Sequence, residues 1–223
     1  MKITKLLIIT VIAVTSLFSI SCKKSSTSSS HVKYQFQTTN RSSVIIASAT
    51  SGNLEWTSGF GSATEIKFEA KSNNQEAEFK SEVPQRIDLF SSVVTLGNIT
   101  LTPGTYNEVE FKVELNPTST DPALELKGQY TDHGTTTPVI FRVNSPIEIK
   151  NEKSNVVITD NNGYRALTTL NLALLTNGVT ASMLNNAVRT NGVILISSTS
   201  NSNIYNILLN NFDDSDEVEF DHD

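Results

Sequence analysis

From Glu108 to Leu115 the chain alternates without a break. Val109, Phe111, Val113 and Leu115 are apolar, and Glu108, Glu110, Lys112 and Glu114 stand between them. A period of two puts successive side chains on opposite faces, so this is a strand with one dry face and one wet face. Ile66, Phe68 and Ala70 alternate in the same way with Glu65, Lys67, Glu69 and Lys71. Val139, Phe141 and Val143 repeat the pattern, as do Val32, Tyr34 and Phe36. Leu54 with Trp56 fits a further strand, and Val156 to Thr159 another.

Turn residues separate these runs. Pro103-Gly104 links Ile99–Leu101 to the long strand, with proline presetting φ and glycine free to take a positive one. Asn116-Pro117, Asp121-Pro122, a loop from Asp132 to Pro138, and a hairpin turn at Asp160-Asn161-Asn162-Gly163 punctuate the rest. Many short strands at such spacing predict an antiparallel β-sandwich, mainly β, with a few short C-terminal helices. Ala166 to Leu175 fits a buried strand or a helix equally well. Thr180 before Met183, Leu184, Ala187 and Val188, with Gly192 beyond, predicts a capped short helix and its stop. Val193–Ile196 reads as a strand. Ser202 before Ile204, Ile207, Leu208 and Phe212 predicts a final amphipathic helix docked on the sandwich.

The amino end has a different character. Lys2 and Lys5 precede an apolar run from Leu6 to Phe18, then Ser19, Ile20, Ser21 and the chain's single cysteine, Cys22. The run is too short to span a bilayer, and the order is that of a secretory signal cut before a cysteine that is then acylated. Ser19 stands where leucine is usual in such a site. Acylation at Cys22 leaves no thiolate nucleophile and no partner for an internal disulfide. Alkyl chains on Cys22 hold a soluble domain at a membrane at ~0.8 kcal/mol per buried methylene. Residues 1–21 are therefore expected to be the signal peptide. Residues 22–31 follow as a serine-rich tether, 32–165 as the sandwich, and 166–212 as an α/β elaboration packed on it. Residues 213–223, with seven carboxylates and no Lys or Arg, read as an acidic disordered tail. Lys23 after Cys22, in place of aspartate, favours the outer membrane, facing the periplasm, with surface display as the other orientation.

Cys22-Lys23-Lys24-Ser25 and the stretch Ile99-Thr-Leu-Thr-Pro-Gly-Thr-Tyr-Asn-Glu-Val-Glu-Phe-Lys-Val resemble uncharacterised lipoproteins of the Bacteroidetes type. The resemblance implies a transthyretin-like or fimbrillin-like β-sandwich and covers the signal and about half of the mature chain. It specifies fold and carries no catalytic residues.

Catalysis needs a nucleophile or base held by an orienting partner. The three histidines are His31 in the tether, His133 beside Asp132 in a polar loop, and His222 in the acidic tail. None of these places is expected to hold a ring still, and no Gly-x-Ser-x-Gly elbow is present. Glu108, Glu110 and Glu114 share one strand face, but alternation predicts a flat, wet surface and no cleft between them. Asp160, Asn162 and Gly163 miss the spacing of a calcium loop, and no Cys/His set suits zinc. No metal or other cofactor is expected. Trp56 is the one aromatic offered as a ligand contact, for a stacked sugar, with Phe60 nearby and Gly59 and Gly61 allowing close approach; a place in the core is its stronger reading. Formal net charge is −6 and no basic patch exists, so nucleic acid is set aside as a partner. The expectation is a non-enzymatic interaction or structural module of the cell envelope, anchored through the lipid on Cys22 and meeting an envelope protein. The alternative is a lipoprotein binding a glycan or another ligand for an uptake system.

Overall fold

The computed structural model describes residues 29–222 apart from 48, 49, 74, 161 and 213. The expected signal peptide, Cys22 and nearly all of the expected tether lie outside these residues. Among the described residues the fold is mainly β, with two sheets packed face to face and a few short helices.

The smaller sheet has the order β14 (Asp216–His222), β11 (Gly163–Asn171), β1 (Ser30–Thr39) and β6 (Val94–Leu101). β1 runs parallel to β11, from His31 opposite Gly163 to Thr39 opposite Asn171, and antiparallel to β6. The larger sheet is built on β3 (Thr50–Lys71). Its first half pairs with β2 (Ser42–Ala47), β5 (Gln85–Asp88) and β8 (Leu124–Asp132). Its second half pairs with β4 (Glu76–Ser81) and β7 (Gly104–Leu115). β10 (Ile147–Ile158) extends the sheet beyond β7. β9 (Thr135–Val143), β13 (Val193–Ile196) and β12 (Arg189–Thr190) extend it beyond β8. The register of β3 slips between Trp56 and Ser58 and again between Ala63 and Glu65. An extra residue on one strand bends it and increases its twist, so one strand serves both halves of the sheet.

The alternation sets the core. Val32, Tyr34 and Phe36 of β1 face Phe68 of β3 and Val109, Phe111 and Val113 of β7 in one apolar cluster. Phe111 lies 4.8 Å from Phe68, edge to face, and 5.4 Å from Tyr34. On the opposite, wet face the charges fall in rows across the strands. Lys80, Lys67, Lys112 and Lys150 are successive cross-strand neighbours on β4, β3, β7 and β10, flanked by the row Glu78, Glu69, Glu110, Glu152.

Several boundaries differ from the sequence reading. The expected tether, 22–31, stops earlier, because Ser30 and His31 are already in β1 and Ser30 Oγ donates to Thr159 O at 2.6 Å. The expected junction at 165/166 falls inside β11, a central strand. Residues 166–212 are therefore woven into both sheets through β11 and β13. The tail expected to be disordered forms β14: Val218 and Phe220 alternate with Glu217, Glu219 and Asp221 and pack on the core. Residues 166–175 divide into the end of β11 and helix α1 (Leu172–Leu175), capped by Asn171. Thr180 caps α2 (Ala181–Asn185) as expected, its Oγ1 accepting from Met183 N at 3.2 Å. Gly192 does not stop that helix. With Asn191, also at positive φ, it forms the two-residue turn between β12 and β13. His133-Gly134 makes the same kind of turn between β8 and β9, leaving Pro138 inside β9. β10 and β11 belong to different sheets, so the hairpin turn expected at Asp160–Gly163 does not join them as paired strands. The final helix, α3, spans Ser202–Asn210 and buries Ile204, Tyr205 and Leu208.

Candidate functional site

Trp56 faces inward from β3 and is 1% exposed, so no sugar reaches its ring without opening the core. Gly59 and Gly61 face inward too. A Cβ on Gly59 would meet Leu126 at 2.6 Å, and one on Gly61 would meet Leu115 at 3.0 Å. These glycines admit core side chains and leave no room for a ligand. Phe60, between them, points to the outer face.

There the register assembles a row across four strands: Asp88 on β5, Phe60 on β3, Glu125 on β8 and Arg142 on β9. Arg86, two residues before Asp88 on β5, lays its guanidinium 3.4 Å over the Phe60 ring. A cation over an aromatic face is held by the ring quadrupole, and the flat guanidinium is well shaped for it. Arg86 Nη1 also reaches Asp121 Oδ1 at 3.1 Å, which ties β5 to the loop after β7. The Arg86 side chain stays 59% exposed. Three adjoining cavities, of about 350, 500 and 290 Å³, share Arg86 and form one groove. Thr118, Ser119, Thr120 and Asn144 contribute hydroxyls and an amide to its wall.

Glu125 closes the floor and is only 6% exposed. Arg142 donates to its Oε2 from Nε at 2.8 Å and from Nη2 at 2.6 Å, and Lys127 Nζ lies 3.2 Å from Oε1. Burial pushes this carboxyl up. The bonds from Arg142 and Lys127 outweigh burial and hold it below the ordinary carboxylate range. Arg86, Lys127 and Arg142 balance Asp88, Asp121 and Glu125, so the groove is polar without net charge.

β7 places this groove relative to the amino end. Ser30 pairs with Leu101 beside the turn that starts β7, whereas Leu115, at the other end of β7, leads into the loop lining the groove. The eleven steps along β7, at ~3.3 Å each, separate the two by roughly 36 Å.

The other sequence candidates lie elsewhere. His133 Nδ1 is 2.8 Å from Asp132 Oδ1, but the ring is 71% exposed at a hairpin tip. His31 Nδ1 lies 3.2 Å from Thr100 Oγ1, and the His222 ring is 4.6 Å from that of Tyr164. Both therefore sit on strands, where the sequence reading had put them in a loose tether and tail. Glu110 is bound to Lys67 and Lys150, and Glu114 to Lys112, in the flat charged face that alternation predicted. Among the described residues no group of three or more His, Cys, Asp or Glu is placed to hold a metal ion, and no helix is long and apolar enough to cross a membrane. Arg86 gave no sequence signal, because β5 is four residues long and its register on β3 alone brings Arg86 to Phe60. No family model, curated protein or solved structure matches the chain.

Proposed function

We propose that this chain is a lipoprotein of the cell envelope, acylated at Cys22 in the outer membrane, that acts as a non-enzymatic binding module through the Arg86 groove. The carrying observation is the guanidinium of Arg86, stacked on Phe60 where three cavities meet, remote from the end at which the chain leaves for Cys22. An anchor at one end leaves the other free to meet a partner, and exposed Arg beside an aromatic is a common anchor of interfaces. The periplasm-facing leaflet is the expected address.

Mass spectrometry of the native protein, combined with cross-linking in intact cells, tests both parts. Diacylated Cys22 and a partner captured by the wild type but lost from Arg86→Ala support the proposal. An unmodified Cys22 thiol removes the anchor, and identical capture by both proteins removes the groove.

A second reading takes a glycan as the ligand, delivered to an uptake system. The hydroxyl and amide wall of Thr118, Ser119, Thr120 and Asn144, with balanced charge, favours it. Calorimetry with neutral oligosaccharides distinguishes the two readings: heat lost in Arg86→Ala supports the glycan, and absence of heat returns the groove to a protein partner.

A further inference from the structure

Among the described residues β10 and β14 are outer strands of their sheets, each paired on one side. They face one another along one side of the sandwich. Where Asn151 Nδ2 donates to Asp216 Oδ2 at 2.5 Å, the seam between them is closed. Further along, Asn155 takes a left-handed backbone at φ 57°, and the ladder to β7 passes from Ser154 to Val156 without it. Asparagine tolerates that region better than other non-glycine residues, and the register on either side of it is unchanged. Here the seam opens into a cavity of about 270 Å³.

Its walls are the two strand edges, Lys153–Val157 and Phe220–His222. Its floor is aromatic. Tyr164 stacks on Phe220 at 5.6 Å and 27°, and Tyr164 is fixed from below by Thr159 N donating to its hydroxyl at 2.8 Å. Val157 adds an apolar lip that is 58% exposed. On the outer face of β14, Glu217, Glu219 and Asp221 form a carboxylate row.

We infer that this seam is a docking site for an extended peptide of a partner protein, which adds as a strand to the free edge of β14. An added strand supplies what a sheet edge lacks, partners in ladder spacing for its outward backbone donors and acceptors. Alternation then fixes the chemistry of the partner. Its inward residues are apolar, one of them aromatic and seated on half-buried Phe220, which Tyr164 backs. Its outward residues are basic, set across from Glu219 and Asp221 as opposite-charge cross-strand pairs. This site is separate from the Arg86 groove and does not depend on the function proposed for it.

The test uses the full chain in detergent and a six-residue peptide, blocked at both ends, that alternates lysine with valine or phenylalanine. Amide exchange read by mass spectrometry is expected to slow at residues 153–157 and 216–222 on addition of peptide. Alanine in place of the peptide's phenylalanine weakens binding at least about tenfold, the worth of one buried aromatic side chain. Val157→Asp, at an exposed position that leaves the core intact, weakens it several-fold, and Asp221→Lys selects against the basic peptide. The inference is overturned by any of three results: no peptide binding, equal binding of the alanine peptide, or protection confined to residues outside the two edges. It is equally overturned if methyl glucoside gives the same protection, which would make the cavity a sugar site.

Discussion

Lys67 and Lys112 stand directly opposite one another on β3 and β7, like charges at the closest cross-strand spacing. Each is satisfied along its own strand and on the diagonal. Lys67 binds Glu69 and lies 3.4 Å from Glu110, and Lys112 lies 2.9 Å from Glu65 and 2.7 Å from Glu114. Repulsion along the row is thereby exchanged for attraction between rows.

The pH dependence of stability follows from these pairs. Hydrogen bonds from Lys67 and Lys71 hold the Glu69 carboxyl down at about 2, and bonds from Lys112 and Lys80 lower Glu65. A depressed carboxylate contributes stability that is fully present above its unfolded value, about 4.3, and is lost as pH falls through the folded value. Hydrogen bonds donated to Glu114 and Glu65 raise Lys112, and one donated to Glu69 raises Lys67. Their contribution is fully present below about 10.4 and is lost as pH climbs beyond it. Urea midpoints are expected to be level from about pH 5 to 9 and to fall on both sides. Glu69→Gln flattens the acid limb; an unchanged limb contradicts the assignment.

Arg142→Ala leaves the Glu125 carboxylate nearly buried with Lys127 as its remaining cation. Half-exposed Arg142 screens the pair, so the cost is about 1–2 kcal/mol, below that of a fully buried pair. Chemical denaturation measures it. Glu125→Gln in the same chain is expected to recover part of the loss, because no charge is then stranded.

Gly128 is the tightest point behind Trp56. A Cβ there would strike the carbonyl oxygen of Glu55 and come within 3.0 Å of the indole. Backbone does not yield as a side chain tip does, so Gly128→Ala is expected to cost about 2–3 kcal/mol and to red-shift Trp56 emission. Gly134→Ala, in open space at φ 78°, costs only about 1 kcal/mol and leaves the emission unchanged. Emission of the wild type is expected to resist soluble quenchers and added sugars alike.

Deleting residues 213–223 removes β14 and uncovers Tyr164 and Phe111, which pack against Phe220. The loss is expected to be about 3 kcal/mol, from the apolar area of Val218 and Phe220. A thermal scan that leaves the midpoint unmoved would mean that the segment only solubilises the chain.

The strands with unbroken alternation, such as that of Val109, Phe111 and Val113, were legible because one physical variable decides them. β14 obeys the same rule, yet its carboxylates dominate composition and conceal Val218 and Phe220. Turns were harder: His133-Gly134 and Asn191-Gly192 close hairpins through left-handed backbone, while in sequence they resemble loop and helix stop. The groove was least legible. Phe60 drew attention through its glycines, but those face the core. Arg86 reaches Phe60 only through the pairing of a four-residue strand, and nothing local in the sequence encodes that pairing.

Because β1 lies beside β11 in parallel, and β11 in turn carries β14, the smaller sheet gathers the first and last strands of the described residues. Counting from the amino end, β1 gains β6 as a neighbour by residue 101, and β11 on its other side only by residue 171. Such distant closure slows folding, and the smaller sheet locks only when its final strand arrives.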